Sequence, residues 1–209
     1  YLKSVFNTHK CFLIKNTDDL ITATQSLSNN AILKTNTFGY DGKGQFRINN
    51  NSNLFEIWEK LGAVECVLEE LLDFKREISI MYFKSTDNSD GFFPLSENFH
   101  ENGILKKTIA PAILNDAIKD ELKLKTKKLS ENLNFYGILA IELFELVDGS
   151  IIFNEIAPRP HNSFHWTLDG CENSQFDILI RTICGLPVKD VKCNTCLLYT
   201  SDAADDSQC

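Results

Sequence analysis

The chain has 209 residues, of which 43% are apolar, so it can bury a substantial core as one domain or as two small ones. Its net charge of −8 argues against a broad nucleic-acid surface, because binding to a phosphate backbone depends on clustered lysine and arginine. No apolar run approaches the roughly 20 residues that span a bilayer and the first residues lack the order of a signal peptide, so we expect a cytoplasmic protein with no membrane partner.

The first third of the chain predicts a small α+β unit. Cys11–Ile14 is apolar, and the residues after it follow a helical pattern for which Thr17 or Asp18 would be the N-cap. Further strands are predicted at residues 31–34, 46–48 and 64–68, and a helix at residues 53–61.

A glycine-rich segment, TFGYDGKGQ at residues 37–45, lies between two of these strands. Three glycines in six residues allow backbone N–H groups to turn toward an anion, and Lys34 and Lys43 add positive charge. The segment matches neither the Walker pattern nor the full dinucleotide fingerprint. A phosphate-binding flap and an ordinary glycine-rich turn therefore both stay open from these residues alone.

The strand that ends at Leu68 leads into a short connector, residues 69–72. A strand that leads into such a connector is typical of a hinge whose backbone groups hydrogen-bond to the edge of a nucleotide base. Glu77, which would open a strand at residues 78–83, is a candidate for a ribose hydroxyl, and His100 for a phosphate or ribose. A single glutamate is more often a solvated surface residue, and a lone histidine is more often structural.

Residues 136–165 carry the strongest chemical signal. Two apolar runs flank Asp148–Gly149, which predicts a β-hairpin with a two-residue loop. The register that follows pairs Val147 with Ser150, Phe144 with Phe153, Glu142 with Glu155, and Ala140 with Ala157. Carboxylates directly opposite each other destabilise a sheet, so something positive should lie between them. Together with the amide of Asn154 they offer only hard oxygen ligands, which favours Mg²⁺ carrying a phosphorylated ligand over two solvated glutamates.

The segment after the hairpin, APRPHNS at residues 157–163, places two prolines around Arg159. Arg159 can form a bidentate contact with a carboxylate or phosphate, and His161, Asn162 and Ser163 lie beside it. The alternative is a rigid surface loop. A long helix is predicted before the hairpin, at residues 112–133, and another after this loop, from Ser174 to about Cys184.

The sequence changes character beyond Lys189. LLYTSDAADD lacks an amphipathic period and resembles translated sequencing-adapter read-through, so it is left out of the predicted fold; a genuine acidic tail is the alternative. The seven cysteines are odd in number and mostly scattered, which favours free thiols over a disulfide framework. Cys193 and Cys196 form a lone Cys-x-x-Cys pair, so no zinc site is expected.

In their order, these segments resemble the ATP-grasp portion of the 5-(carboxyamino)imidazole ribonucleotide synthetase family, from about Ala31 to Pro187. The blocks that carry the resemblance include LKTNTFGYDGKGQ, CVLEELLDFKREISI and NEIAPRPHNSFHWT. Phe38 and Phe164 depart from it, because the family usually has glycine there. The resemblance implies an α+β ATP-grasp fold of two α+β subdomains with the nucleotide cleft between them. We expect the family's N-terminal and small C-terminal domains to be missing.

The implied domains are a lid subdomain with the glycine-rich flap at 1–72, a metal and substrate subdomain at 73–188, and a non-family tail at 189–209. The resemblance also assigns roles. The ATP phosphates would be held by Lys34, Gly39, Tyr40, Asp41, Gly42, Lys43, Gly44 and Gln45. Adenine would contact Glu69, Glu70, Leu71 and Leu72, while Glu77 and His100 would bind the rest of the nucleotide. Glu142 and Glu155 would be the Mg²⁺ ligands with Asn154 alongside, and Arg159, His161, Asn162 and Ser163 would handle substrate and carboxylate.

The activity implied by the resemblance is ATP-dependent carboxylation of 5-aminoimidazole ribonucleotide with bicarbonate, through carboxyphosphate, in de novo purine biosynthesis. Its cofactors would be ATP and Mg²⁺. Two alternatives stay open: another ATP-grasp ligase with a different acceptor, and a truncated nucleotide-binding module without turnover. We expect this segment alone to turn over little. The sequence leaves the oligomeric state open, and a homodimer is one such state.

Overall fold

The structure, a computed structural model, describes residues 2–36, 44–101, 103–188, 191–193 and 197–200. The chain divides into two compact units. The first unit is built from His9–Asp73. The second unit contains the segment up to Thr8, Phe74–Glu101 and the chain from Leu105 onward.

The first unit is a four-stranded antiparallel sheet with two helices. Its strands are β1 (Cys11–Ile14), β2 (Ala31–Thr35), β3 (Gln45–Ile48) and β4 (Cys66–Glu70), and its helices are α1 (Thr17–Ser26) and α2 (Leu54–Lys60). The strands lie in the order β1-β4-β2-β3. The core is formed by alternate strand residues and the inner faces of the helices, including Ile14, Leu20, Leu33, Trp58 and Leu68.

The predicted N-cap of α1 is wrong by one or two residues. Asn16 has an extended backbone, and its side-chain oxygen accepts a hydrogen bond from the Asp19 N–H at 2.8 Å. Asn is as good an N-cap as Ser or Asp, so the sequence offered three neighbouring candidates and the structure uses the first.

The second unit is built on a seven-stranded sheet. Its strands are β5 (Phe74–Lys84), β6 (Asp90–Phe92), β7 (Ser96–Glu101), β8 (Ile104–Ala110), β9 (Gly137–Leu146), β10 (Ile151–Ala157) and β11 (Leu197–Thr200). They follow the order β10-β9-β5-β7-β8-β11, with β6 paired to β5. Its helices are α3 (Asp116–Asn132), α4 (Thr167–Gly170) and α5 (Gln175–Ile183), with 3-10 turns at Leu2–Ser4 and Asn162–Phe164.

Some elements of this unit differ from the predicted ones. Residues 197–200, which were left out of the predicted fold, pair with β8 as an antiparallel edge strand. The helix α3 begins four residues later than predicted, because Asn115 caps it by accepting the Ala117 N–H at 2.8 Å. No helix among the described residues has the length and apolar character that a membrane crossing requires.

The two faces of the larger sheet differ in polarity. Ile78, Ile80 and Ile141 point to one face, where Leu122 and Leu129 of α3 complete an apolar core. The alternate residues of the same strands point to the other face. Strand pairing places four polar side chains on that second face, namely Glu77 opposite Asn98 and Ser79 opposite Glu142.

The hairpin of β9 and β10 pairs Glu142 with Glu155 and Ala140 with Ala157, as predicted. The predicted two-residue loop is wrong. The Leu146 N–H donates to the Ser150 carbonyl at 2.9 Å, so the loop has three residues, and the last of them, Gly149, has a φ of 84°.

This longer loop shifts the pairing beside it by one residue. Phe144 therefore lies opposite Ile152, and the predicted pair of Phe144 with Phe153 does not form. A register shift between Phe153 and Glu155 then makes Asn154 the extra residue of a β-bulge. The bulge cancels the shift. Glu142 and Glu155 therefore pair as predicted, although the predicted register between them and the loop was incorrect.

The expectation that the cysteines are free thiols is wrong for one pair. Cys171 and Cys193 form a disulfide and also pair through their backbones. Cys11, Cys66 and Cys184 are free. The partners lie 22 residues apart in sequence, and no local pattern marks such a pairing.

The backbone of Gly149 gives a test of the hairpin loop. Because its φ is 84° and nothing lies within 4 Å of an added Cβ, Gly149→Ala should introduce backbone strain alone. We expect it to lower the free energy of unfolding by about 1 kcal/mol in urea denaturation. Gly149→Asn should lose less, since asparagine tolerates this conformation.

Val147→Ala serves as the control, because that side chain is 75% exposed in the same loop. It should change the free energy of unfolding by no more than about 0.5 kcal/mol. Equal losses for Gly149→Ala and Val147→Ala would show that the loop does not need a left-handed residue.

Candidate functional site

The two paired glutamates of the hairpin meet at one imidazole. Glu142 is 8% exposed, whereas the side chain of Glu155 is 52% exposed. Glu142 Oε1 lies 3.7 Å from Nδ1 of His161, and Glu155 Oε1 lies 3.9 Å from Nε2 of the same ring. The Asn154 amide donates to Glu142 Oε2 at 3.5 Å. Both carboxylates therefore reach the same side of the hairpin.

The charges at this pair are not balanced by His161. Burial raises the pKa of Glu142 to about 7, and the carboxylates of Glu155 and Glu77 push it in the same direction against the charge of His100. Burial also lowers the pKa of His161 to about 4, helped by the positive charge of Arg159. At neutral pH the His161 imidazole is therefore uncharged, and the pair keeps an excess of negative charge.

Glu77 and His100, which the sequence analysis considered separately, form one ion pair. His100 Nδ1 lies 2.7 Å from Glu77 Oε2. Burial by itself would lower the pKa of His100. The hydrogen bond and charge of Glu77 act against burial, with smaller effects from Glu142 and Glu155, and the net result is a raised pKa. The predicted place of Glu77 at the start of a strand is wrong, because β5 begins three residues earlier, at Phe74.

The loop after the hairpin divides into two kinds of residue. His161 and Ser163 are buried, and Ser163 Oγ lies 2.8 Å from His161 Nδ1. Arg159 is exposed and donates to the Pro160 carbonyl at 2.9 Å, while the Asn162 side chain accepts the Ser163 N–H at 2.9 Å. His161 and Ser163 thus lie at the carboxylate pair, and Arg159 and Asn162 bind the backbone of their own loop.

A layer of buried polar side chains on the same sheet face was missed by the sequence analysis. The Asn98 amide donates to Ser79 Oγ at 2.6 Å, and Thr108 Oγ1 donates to Asn98 Oδ1 at 3.1 Å. All three are buried, and Ser79 lies directly opposite Glu142. Ser79, a single polar residue in the apolar run of β5, was the available signal, but its partners become visible only once the strand order is known.

The predicted phosphate-binding and adenine-binding residues belong to the first unit. Lys34 Nζ forms an ion pair with Glu69 Oε2 at 2.5 Å, and His9 Nε2 lies 3.7 Å from the same oxygen. The N–H of Glu70 donates to the Lys10 carbonyl at 3.0 Å.

In the connector, the N–H of Leu71 donates to the Asn30 carbonyl at 3.2 Å, and Leu72 is partly buried. In the flap, Gln45 pairs with Lys34 across β3 and β2, and Gly44 has a φ of 71°. The remaining predicted flap residues lie outside the described part of the chain; they are Gly39, Tyr40, Asp41, Gly42 and Lys43.

The donor set of Glu142, Glu155 and Asn154 fits Mg²⁺ better than a softer metal. It consists of two carboxylates and an amide, and Mg²⁺ prefers oxygen ligands. In the described ranges, no group of three or more His, Cys, Asp or Glu is arranged to hold a metal ion. An ion here would therefore complete its coordination with water and phosphate oxygens, which is the usual way in which Mg²⁺ binds with a nucleotide.

The fold and this site define the class of protein. The chain belongs to the ATP-grasp family, whose domain matches residues 2–176. It is 42% identical over 176 residues to N5-carboxyaminoimidazole ribonucleotide synthase of Bacillus subtilis, a match that covers 84% of this chain and 46% of that protein. These findings confirm the ATP-grasp fold and the resemblance found in the sequence.

Solved structures give the same result. The Staphylococcus aureus N5-carboxyaminoimidazole synthetase complexed with ADP superposes with a TM-score of 0.83 at 36% identity, over 91% of this chain and 51% of that one. The Aspergillus clavatus synthase in complex with ADP and 5-aminoimidazole ribonucleotide has a TM-score of 0.76 at 28% identity, with the same two coverages. The chain thus spans about half of the length of these relatives.

The raised pKa of Glu142 predicts an unusual dependence of stability on pH. Because its pKa rises from an ordinary 4.5 to about 7 on folding, the folded chain holds more protons between these values, and this residue's contribution to stability falls as pH rises through them. Without metal or nucleotide, Glu142→Gln should therefore be more stable than the unsubstituted chain at pH 8. The difference should shrink toward pH 4.5.

Urea denaturation in EDTA at several pH values measures this difference. Glu131→Gln is the control, because Glu131 is exposed at the end of α3, and it should show no comparable pH-dependent gain. If Glu142→Gln were less stable than the unsubstituted chain at pH 8, the carboxylate would already be balanced by a protein cation.

Proposed function

We propose that this chain is the nucleotide-binding and metal-binding part of an enzyme that carboxylates 5-aminoimidazole ribonucleotide. The reaction uses ATP and bicarbonate, passes through carboxyphosphate and gives 5-(carboxyamino)imidazole ribonucleotide, a step of purine biosynthesis in the cytoplasm. The observation that carries the proposal is the Glu142–Glu155 pair, with Asn154 beside it and the uncharged His161 between the carboxylates. The names of the similar proteins supply the acceptor.

In this proposal Glu142, Glu155 and Asn154 hold Mg²⁺, which supplies positive charge to the phosphoryl group being transferred. The state of Glu142 supports this assignment. A carboxylate whose pKa burial raises to about 7 gains strongly from a cation, because the cation restores the charged form that burial disfavours. Metal binding and loss of the Glu142 proton are therefore coupled.

Nucleotide-binding roles are proposed for residues of each unit taken by itself. Lys34 and residues 39–45 bind the phosphates, and residues 69–72 contact adenine. Lys34 already pairs with Glu69, and the other N–H donors of its ammonium group are left for phosphate oxygens when ATP binds. Glu77 takes the ribose, and His100, with its raised pKa, is favoured in the charged form that attracts phosphate.

Bicarbonate and the acceptor are proposed to bind beside the segment from Arg159 to Ser163. Arg159 is exposed and can turn from the Pro160 carbonyl to a carboxylate or phosphate. The uncharged imidazole of His161 is in the form that accepts a proton, which suits the substrate amine as it attacks the carboxyl carbon. Asn162 and Ser163 add hydrogen-bonding groups next to it.

A second candidate follows from the length of the match. The chain spans 46% of the Bacillus subtilis relative, so it can also act as a nucleotide-binding module that does not turn over alone. For the complete enzyme a homodimer is our hypothesis, and analytical ultracentrifugation giving a monomer would reject it.

Release of ADP, measured with each component omitted in turn, tests the proposal. We expect ADP release to require ATP, Mg²⁺, 5-aminoimidazole ribonucleotide and bicarbonate together, with label from bicarbonate appearing in the product. The assay is run on this chain and on the full-length gene product. Turnover by the full-length gene product but not by this chain would support the second candidate, a nucleotide-binding module that does not turn over alone. Turnover with other acceptors but not with 5-aminoimidazole ribonucleotide would point to a different ligase.

Glu155→Gln tests the proposed metal ligand. Losing one carboxylate should reduce Mg²⁺-dependent turnover of the full-length protein about 100-fold or more and shift the Mg²⁺ requirement for ATP binding, measured by calorimetry, to higher concentration. Glu172→Gln, at an exposed glutamate of the same unit, is the control and should change neither quantity. Unchanged turnover in Glu155→Gln would remove this residue from the site.

A further inference from the structure

Gln175 is the first residue of α5, and its side chain is fully buried. Its carboxamide makes two hydrogen bonds to the main chain of a single residue, His161. Oε1 accepts the His161 N–H at 2.8 Å, and Nε2 donates to the His161 carbonyl at 3.0 Å. One planar group thus binds both backbone groups of a residue 14 positions away, as a neighbouring strand would.

The position of the His161 side chain depends on this backbone. His161 has φ of −132° and ψ of 143°, just before the 3-10 turn at Asn162–Phe164. From there its ring reaches Ser163, Glu142 and Glu155 at the distances given above. A rotation of the His161 backbone would move the ring away from the carboxylate pair, so the two bonds from Gln175 set where the ring lies.

The main chain of Gln175 also holds the far end of the same loop. Its N–H donates to Thr167 Oγ1 at 3.0 Å, and that hydroxyl donates to the Phe164 carbonyl at 2.7 Å. The first turn of α5 is fixed in turn by a capping box between Ser174 and Asp177. Gln175 therefore ties both ends of the segment from His161 to Thr167 to the start of one helix.

We propose that Gln175 is a positioning residue for His161 in the carboxylation reaction, and in this respect the inference rests on the proposed function. It acts through the His161 backbone and does not contact substrate. A glutamine is required because the task needs a donor and an acceptor on one flat group. Glutamate keeps the acceptor alone, and methionine keeps the approximate size with neither.

Nuclear magnetic resonance of the imidazole rings tests the positioning directly. The chain has only four histidines, so the His161 ring signals can be assigned by substitution. In the metal-free chain, Gln175→Met should shift or broaden the His161 signals while those of His9 stay unchanged. Gln175→Glu should also shift them, because a carboxylate oxygen replaces the amide that donates to the His161 carbonyl.

Thr182→Val is the matched control. Thr182 is buried on the same helix, but its hydroxyl donates only to the Leu179 carbonyl of that helix, at 2.8 Å. This substitution should lower the melting temperature as Gln175→Met does and leave the His161 signals in place. In the full-length enzyme, Gln175→Met should lower kcat about tenfold or more with KM for ATP within about twofold, whereas Thr182→Val should change neither.

Unaltered His161 signals and kcat in Gln175→Met would mean that Gln175 only packs, and the proposal would be overturned. Should Gln175→Met fail to fold, Gln175→Glu decides, since it keeps the size and one of the two bonds. If the unsubstituted enzyme does not carboxylate the acceptor, the proposed function fails. The ring signals of the metal-free chain would still support or overturn the positioning of His161 by Gln175.

Discussion

A buried carboxylate placed opposite a second carboxylate is the constraint on which the site depends. Glu142 lies opposite Glu155 across the hairpin, and the ring between them, His161, is uncharged at neutral pH because burial lowers its pKa to about 4. Removing a carboxylate from water without a fixed partner is costly, and the Glu142 pKa of about 7 expresses that cost. In the proposed function a divalent cation would regain the free energy lost by burying this group, so the feature that destabilises the metal-free hairpin would also give it affinity for the ion.

The buried polar side chains on the same sheet face explain how the sheet can carry the buried Glu142. Buried polar groups are tolerated when each has a partner, and a half-satisfied network is worse than an apolar core. Ser79, Asn98 and Thr108 hydrogen-bond to one another on the face that bears Glu142, while the opposite face packs against α3. The apolar face supplies the stability that lets the polar face be specialised for binding.

The sequence was a good guide to which residues matter and a poorer one to how they meet. Glu142 and Glu155 were predicted to pair, and they do, but the predicted register omitted both the third loop residue and the bulge at Asn154. These two differences cancel, because each changes the register by one residue. Turn length depends on backbone twist, and a bulge depends on packing, so neither is encoded in the alternation of apolar and polar residues.

Contacts between distant segments account for most of what the sequence did not show. Nothing near Gln175 indicates that it binds the backbone of His161, and nothing near Cys171 indicates Cys193. The Asn16 cap was missed for a different reason, since three adjacent residues could each have filled that role. Local signals thus locate helices, strands and candidate ligands, whereas the second residue of each long-range pair requires the fold.

The proposed ligand-binding residues of the two units carry different charges. This difference bears on why a nucleotide would be bound together with its metal. In the first unit the lysine proposed to bind phosphate, Lys34, already has Glu69 as its partner, so an incoming phosphate would share this cation with a carboxylate and gain little from charge alone. In the second unit the uncharged His161 does not balance the hairpin carboxylates and the charge of His100 offsets them only in part, so they would repel a bare nucleotide. Under the proposed function, a nucleotide that arrives with Mg²⁺ would remove this repulsion and satisfy the buried Glu142. In the proposed function, the dependence on metal would therefore follow from the hairpin carboxylates and not from Lys34, which already has an anionic partner.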